Sequence, residues 1–336
     1  MTLNALVPTM SAREIGSSGI SASAIGLGTW AIGGWMWGGT DEADSIAAIR
    51  ASIDAGVSLI DTAPAYGMGR SEEIVGKAIA GRRDEVVLAT KCGLVWHTGQ
   101  GNHFFDQAGQ PVHRYLGPDS IAYEIDQSLR RLGTDHIDLY ITHWQDATTP
   151  IAETMGALED LKRAGKIRAI GASNATPADV DAYVAAGRLD ALQEQYSMVH
   201  RDIEVELVPL CLRHGISILS YSSLALGLLS GKIGADRKFE GDDQRIGDTR
   251  FSVANRRKVA DFASEIGPVA DALSTTVAEL VIAWTARQPG ITFALCGARN
   301  PEQSRENARA GSLQLSDNDF ATITAAATRH LAGIHA

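Results

Sequence analysis

Short apolar runs alternate with longer stretches of helical spacing along almost the whole chain. The runs lie at residues 24–27, 57–60, 86–90, 137–142, 167–170, 191–193, 216–220 and 291–296. Each is continuously apolar rather than alternating, the pattern of a strand covered on both faces in a parallel sheet. The stretches that follow them predict helices at about 44–55, 71–79, 118–132, 151–164, 177–186 and 204–214, then between 252 and 287, and at 301–308. Eight strand–helix units in one chain predict an α/β fold of the (β/α)8 (TIM) barrel type, preceded by an N-terminal hairpin. The competing architecture, an open doubly wound sheet, needs a phosphate-binding glycine fingerprint after a strand. Gly26-Leu27-Gly28 and Gly67-Met68-Gly69 do not continue into one.

Helix starts carry matching polar residues. Ser71, with Glu72 and Glu73 in the first turn, reads as a cap, Asp41 reads as a looser one, and Thr176-Pro177 places proline at the first helical position. Two loops are long, 93–117 and 222–251, and both follow strands, which puts them on the barrel face that carries active sites. Neither reads as regular structure. In the second, Gly241 would allow a hinge, and Arg245 is a candidate latch for an acidic partner. No linker or composition break divides the chain, so residues 1–336 are expected to form a single domain.

Composition narrows the function classes. The 336 residues are 45% hydrophobic and 21% charged, with a formal net charge of −10, which disfavours nucleic acid as a partner. Cys92, Cys211 and Cys296 show neither zinc spacing nor a disulfide framework and fit a reducing compartment. Cys92 reads as a small buried hydrophobe. The first fifteen residues do not resemble a secretory signal, and no window approaches the roughly 20 apolar residues of a membrane span. The nearest, 266–284, is interrupted by Asp271 and Glu279. A cytoplasmic protein with no membrane partner is expected.

Asp61, Tyr66, Lys91 and His143 all lie at or just past the ends of expected strands and would meet at one end of the barrel. A phenol, an ammonium, a carboxylate and an imidazole make a proton-donating site, which suits carbonyl reduction because the oxygen needs a proton as hydride reaches the carbon. Lys91 is expected to lower the Tyr66 phenol from its free pKa of about 10. Asp61 would hold Lys91 in place, and His143 would donate to the carbonyl oxygen or relay a proton.

Several segments carry a family resemblance. Asp61-Thr62-Ala63-Pro64-Ala65-Tyr66-Gly67, followed by Ser71-Glu72, resembles the signature of the aldo-keto reductases. Ala89-Thr90-Lys91, Thr142-His143-Trp144 and the stretch 162–174, KRAGKIRAIGASN, resemble further segments of that family, in the same order. The resemblance implies a single-barrel NADP(H)-dependent oxidoreductase that reduces aldehydes or ketones. Tyr66 would be the acid, Lys91, His143 and Asp61 would complete the tetrad, NADPH/NADP+ would be the cofactor, and NADH a weaker alternative.

The resemblance also implies cofactor residues. Ser173, Asn174 and Gln193 would grip the nicotinamide amide, with Thr29 and Trp30 nearby and Tyr221 stacking on the ring. Ser222, Leu224, Gly227 and Lys232 would cover the pyrophosphate. Gly297, Arg299, Gln303, Glu306 and Asn307 would meet the adenosine end, where a helix N-terminus can also bind phosphate. At Gly297 and Gln303 the chain departs from the best-known eukaryotic members, which carry lysine and arginine there. It is more similar to a bacterial branch that uses the residue at Arg299. Residues 28–39 resemble that same branch, which includes stress-related reductases acting broadly on small aldehydes and sugars. Trp35, Trp37, Trp96 and Trp144 are expected to wall the pocket for an apolar or sugar-like carbonyl substrate.

Two other functions compete. A relative of this fold serves as an ion-channel β subunit, so a cofactor-binding regulatory or sensor subunit with slow chemistry is one alternative. A metal-dependent barrel hydrolase using His143 with Asp146, or His103 with His113, is the other, but Lys91 and Tyr66 would be odd neighbours for such a site, and no metal is expected. A homo-oligomer is compatible with the fold, since barrels of this kind occur as monomers and multimers.

Overall fold

The computed structural model describes residues 10–234 and 236–334. Two short strands, β1 (Ala12–Glu14) and β2 (Ser21–Ser23), form an antiparallel hairpin. The first barrel units follow: β3 (Ile25–Gly28), α1 (Glu42–Asp54), β4 (Leu59–Asp61), α2 (Arg70–Ile79) and β5 (Val87–Cys92). Three small strands come next, β6 (Leu94–Val95), β7 (Asn102–Gln107) and β8 (Gln110–Arg114), and then α3 (Pro118–Leu132). The remaining units are β9 (Ile137–Thr142), α4 (Ile151–Arg163), β10 (Ile167–Ser173), α5 (Pro177–Ala186), β11 (Ala191–Gln195), α6 (Leu207–His214) and β12 (Ser217–Tyr221). The chain closes with α7 (Val253–Ala272), α8 (Val277–Arg287), β13 (Ile291–Gly297), α9 (Pro301–Ala310) and α10 (Asp317–His330).

Strands β3, β4, β5, β9, β10, β11, β12 and β13 pair in that order, all parallel, and β13 pairs back onto β3 to close the barrel. Along each strand alternate side chains point in or out. Inward residues Leu59, Ala89, Leu139, Ile141, Leu219 and Phe293 fill the barrel interior, and Ile15 and Ile20 of the hairpin join them. The hairpin is tied down by Arg13, which donates to the carbonyls of Ala286, Ile291 and Thr292, and by Gly16, whose N–H donates to Ser217 Oγ at 2.8 Å. A larger core of mostly Ile, Leu and Val packs the helices onto the outer barrel wall.

The structure corrects three expectations. Ser71 is not the cap of α2: that position is Gly69, and the Ser71 hydroxyl bonds Thr29 and Thr62 inside the molecule. The loop 93–117 is not irregular. It holds the three-stranded sheet β6-β8-β7, with a two-residue turn at Ala108 and Gly109, both at positive φ (51° and 76°). Beyond the eighth unit lies α10, whose Ser316–Asp319 capping box the apolar pattern did not reveal. The caps at Asp41 and Thr176 are present as expected, each accepting a backbone N–H from its helix. The apolar stretch 266–284 is split between α7 and α8, which meet at 88°; among the described residues no single helix is long and apolar enough to cross a membrane.

Candidate active site

The strand order sets the site. Pairing aligns Gly28 with Asp61, Asp61 with Ala89, and Lys91 with Ile141, so the C-terminal ends of β3, β4, β5 and β9 converge on one rim. Tyr66 reaches this rim from the turn after β4. There the backbones of Gly33 and Gly67 touch: a Cβ on Gly33 would come within 2.6 Å of the Tyr66 carbonyl carbon, and one on Gly67 within 2.4 Å of the Gly33 oxygen. Gly67 also needs its φ of 72°. Only glycines let the turn pack this closely and aim Tyr66 inward.

Lys91 is fully buried, and its ammonium makes all its contacts inside the protein. Nζ lies 2.8 Å from both Asp61 carboxylate oxygens, 2.9 Å from the Thr62 carbonyl and 3.1 Å from the Tyr66 hydroxyl. Because the ammonium can only donate, it occupies a lone pair of the phenol oxygen and leaves the phenolic proton free for another acceptor. Burial pulls the Lys91 pKa down, but Asp61 and then Tyr66 outweigh it, and the ammonium is held above its ordinary range.

The expected lowering of the Tyr66 pKa does not occur. Burial pushes the phenol up, the Lys91 charge only partly offsets it, and the net direction is upward. Tyr66 therefore keeps its proton at neutral pH. The ring of His143 packs edge-on to that of Tyr66, centroids 5.7 Å apart. Burial, with help from the Lys91 charge, drives the His143 pKa well below its usual value, so the imidazole is neutral and offers one N–H.

A cleft of about 890 Å³ opens over this rim. Asp61, Tyr66 and His143 line it, with Lys91 beneath. Beside them Ser173, Asn174, Gln193 and Tyr221 form one hydrogen-bonded set. Asn174 Nδ2 donates to the His143 carbonyl at 2.9 Å and to Ser173 Oγ at 3.1 Å, and the Tyr221 hydroxyl donates to Asn174 Oδ1 at 2.8 Å. The Gln193 amide donates to Asp61 Oδ1 at 2.9 Å, which ties this set to the carboxylate under Lys91.

Farther along, Ser222, Leu224, Gly227, Lys232, Gly297 and Arg299 line the cleft, with Gln303, Glu306 and Asn307. Ser222, Ala225 and Leu226 hold positive φ without being glycine, a strain usually kept where backbone must face a ligand. Lys232 pairs with Glu306 at 2.6 Å, and Arg299 donates to the Gly39 carbonyl at 2.7 Å. The N-terminus of α9 is already capped by Asn300, whose Oδ1 accepts the Gln303 N–H.

The loop 222–251 is fastened across to the turn after β3. Asp242 accepts the N–H groups of Met36 and Gly38, each at 2.9 Å, and the Gln244 N–H donates to the Met36 carbonyl. Arg245, the candidate latch, takes its acidic partner, Asp243, from its own loop and lies over the rings of Trp37 and Phe239. Gly241, the expected hinge, has φ 68°.

The other end of the cleft is aromatic. Trp30, Trp35, Trp37 and Trp144 line it as the sequence suggests. Phe104 and Phe105 of β7 complete it and were not foreseen: Phe105 stacks on Trp35 at 5.1 Å, and Phe104 meets Trp144 at 5.2 Å. The Phe104-Phe105 pair was the available signal, hidden in what read as a loop. Two expected residues lie elsewhere. Trp96 faces a separate small pocket with His97 and Tyr123, and Thr29 is fully buried, its hydroxyl on the Asp61 carbonyl and Ser71. Cys92 is buried and its thiol pKa is raised, so it reads as packing. Among the described residues no group of three or more His, Cys, Asp or Glu side chains is placed to hold a metal ion.

Comparison with known proteins agrees with this geometry. Residues 24–328 match the model of the aldo/keto reductase family. The chain is 44% identical over 297 residues to aldo-keto reductase YhdN of Bacillus subtilis, covering 88% of this chain and 86% of that one. It is 42% identical over 311 residues to the NADH-specific methylglyoxal reductase of Escherichia coli, covering 91% and 94%. Among solved structures, the glycerol dehydrogenase AKR11B4 from Gluconobacter oxydans superposes with a TM-score of 0.85 at 36% identity, covering 97% of this chain and 96% of that one. An aldo/keto reductase from Klebsiella pneumoniae, in complex with NADP and acetate, gives 0.69 at 32% identity, with 90% of both chains covered.

Proposed function

The chain belongs to the aldo/keto reductase family, and from that membership we infer that its cleft reduces the carbonyl of an aldehyde or ketone to an alcohol with Tyr66 as the proton donor. The carrying observation is the buried Asp61–Lys91–Tyr66 chain, in which an ammonium held by a carboxylate touches the phenol oxygen at 3.1 Å. No observation in the fold or the site favours the regulatory-subunit alternative.

The cleft fits a nicotinamide dinucleotide. The Ser173 hydroxyl and the side-chain amides of Asn174 and Gln193 match a carboxamide in donor and acceptor type, and Tyr221 stands beside them with its hydroxyl on Asn174. Trp37 Nε1 is buried without a hydrogen-bond partner among the described residues, so the cleft offers a donor to a ligand. At the far end Lys232, Arg237 and Arg299 supply positive charge against the single carboxylate of Glu306, which supports NADP(H) over NAD(H). The Escherichia coli relative, described as NADH-specific, keeps NADH in view as the weaker cofactor. When bound, this cofactor supplies hydride to the carbonyl carbon.

The chain's own residues handle the oxygen. Tyr66 holds its proton because burial disfavours the phenolate. As negative charge grows on the substrate oxygen, the phenol transfers that proton, and Lys91 stabilises the phenolate left behind. The neutral His143 N–H donates to the same oxygen and orients it without adding a second mobile proton. Asp61 keeps Lys91 charged in a site where an unpaired ammonium would be costly. The aromatic end built by Trp35, Phe104, Phe105 and Trp144 supports small neutral carbonyl compounds, apolar or sugar-like, as substrates.

Tyr66→Phe removes the proton and little else. We expect turnover to fall by roughly 10²–10⁴-fold while the dissociation constant for NADPH, read by fluorescence titration, stays close to the parent value. Retained turnover in that variant would rule out Tyr66 as the acid.

A further inference from the structure

We propose that Glu194 is a positioning residue for the cofactor: its carboxylate holds the backbone turn from which Ser173 and Asn174 project into the cleft. The proposal rests on the reading that these two residues grip the nicotinamide amide.

The geometry starts from strand alternation. Gln193 and Glu194 are neighbours on β11, so their side chains leave opposite faces. Gln193 turns inward to Asp61. Glu194 turns outward, is 7% exposed, and reaches under the end of β10. Its Oε1 accepts the Ala175 N–H at 2.9 Å. The neighbouring Asn174 N–H donates to the Gln193 carbonyl at 3.3 Å, on the same strand as Glu194. Asn174 sits at φ 54°, left-handed backbone that asparagine tolerates better than most residues with a side chain, and the Glu194 contact holds the chain just beyond it in place. That single residue carries the contacts to His143, Ser173 and Tyr221. If it relaxed, the cofactor grip and the backbone behind His143 would both shift.

The charge environment gives the role a distinctive readout. Among the described residues no Lys or Arg pairs with Glu194. The titratable groups that face it are Asp179 of α5, Cys211 of α6 and Tyr221 of β12, none of them cationic. Burial raises the Glu194 pKa to about 7, partly offset by the backbone N–H groups at the turn, Ala175 first. Its acceptor strength therefore changes within the neutral range. Above that pKa the carboxylate holds the Ala175 N–H firmly; below it the protonated acid holds it less tightly.

The test is NADPH binding from about pH 5.5 to about pH 9, by fluorescence titration of the purified protein and of three variants, Glu194→Gln, Glu194→Ala and Asn174→Ala. The 2′-phosphate of NADPH titrates in the same range, with a pKa near ~6. That contribution is shared by all four proteins, so the ratio of parent to Glu194→Gln isolates Glu194. We expect this ratio to change with pH around neutrality, since glutamine retains the acceptor but cannot titrate. Glu194→Ala should weaken NADPH binding by about tenfold and raise the cofactor KM more than it lowers kcat; Glu194→Gln should recover most of that loss. A parent-to-glutamine ratio that is flat with pH overturns the proposal. So does a Glu194→Ala variant that binds NADPH normally while Asn174→Ala does not. If Asn174→Ala itself binds normally, the underlying assignment of the amide grip fails, and Glu194's role fails with it.

Discussion

Glu124 shows what a single buried carboxyl does to this site. It accepts the Gly93 N–H with both oxygens, at 3.2 and 3.0 Å, two residues past Lys91, and Ser120 donates to it as well. Burial outweighs these bonds and pushes its pKa up to about 8. The sign of the consequence follows from linkage. Between the unfolded carboxyl pKa of about 4.3 and the folded value, the native state binds the extra proton, so stability falls as pH rises through that window. Denaturant melts of Glu124→Gln against the parent should show the stability difference shifting toward the variant between about pH 5 and about pH 9. A difference constant with pH would mean that Glu124 is not protonated in the fold. The four residues of the proposed catalytic cluster were legible in the sequence because each is a polar residue at or just past the end of an apolar run. Their electrostatics were not: the sequence suggested that Lys91 lowers the Tyr66 pKa, whereas burial, which a linear pattern does not reveal, reverses the net direction. Gln193 was read as an amide holder, and only the folded strand order shows that it also reaches Asp61 across the barrel.

At the scale of elements, the barrel strands and most helices were legible because continuous apolar runs and helical spacing are strong local signals. The failures have local physical causes. In β7, Asn102–Gln107, two adjacent phenylalanines break strict alternation because one packs on Trp35 and the other on Trp144. In α10, alanine and threonine stand where a helix usually shows leucine or isoleucine. The clasp between loop 222–251 and the turn after β3 joins the Asp242 carboxylate to two backbone N–H groups and adds the Gln244 N–H on the Met36 carbonyl, so neither loop betrays it alone. Hydrogen bonds to a charged group contribute about 1.5–3 kcal/mol each. Asp242→Ala should therefore speed NADPH release by roughly tenfold or more in stopped-flow displacement. An unchanged release rate would show that the loop does not control the cofactor's exit.

The whole molecule separates stability from chemistry along the barrel axis. The N-terminal end is closed by the β1–β2 hairpin through Arg13 and Gly16, and the C-terminal end holds every residue assigned a chemical role. Trp35, Phe104, Phe105 and Trp144 line the cleft together with the cations Lys232, Arg237 and Arg299, which supports a neutral carbonyl compound beside Tyr66 and a phosphorylated nucleotide beyond it. The central claim is that these two sets of residues work as one NADPH-dependent carbonyl reductase. Its most direct test is the rate at which the purified protein consumes NADPH, with NADH in parallel, in the presence of a small neutral aldehyde. The account predicts steady turnover that is faster with NADPH than with NADH. Tight binding of NADPH without aldehyde-dependent consumption of either cofactor would contradict it.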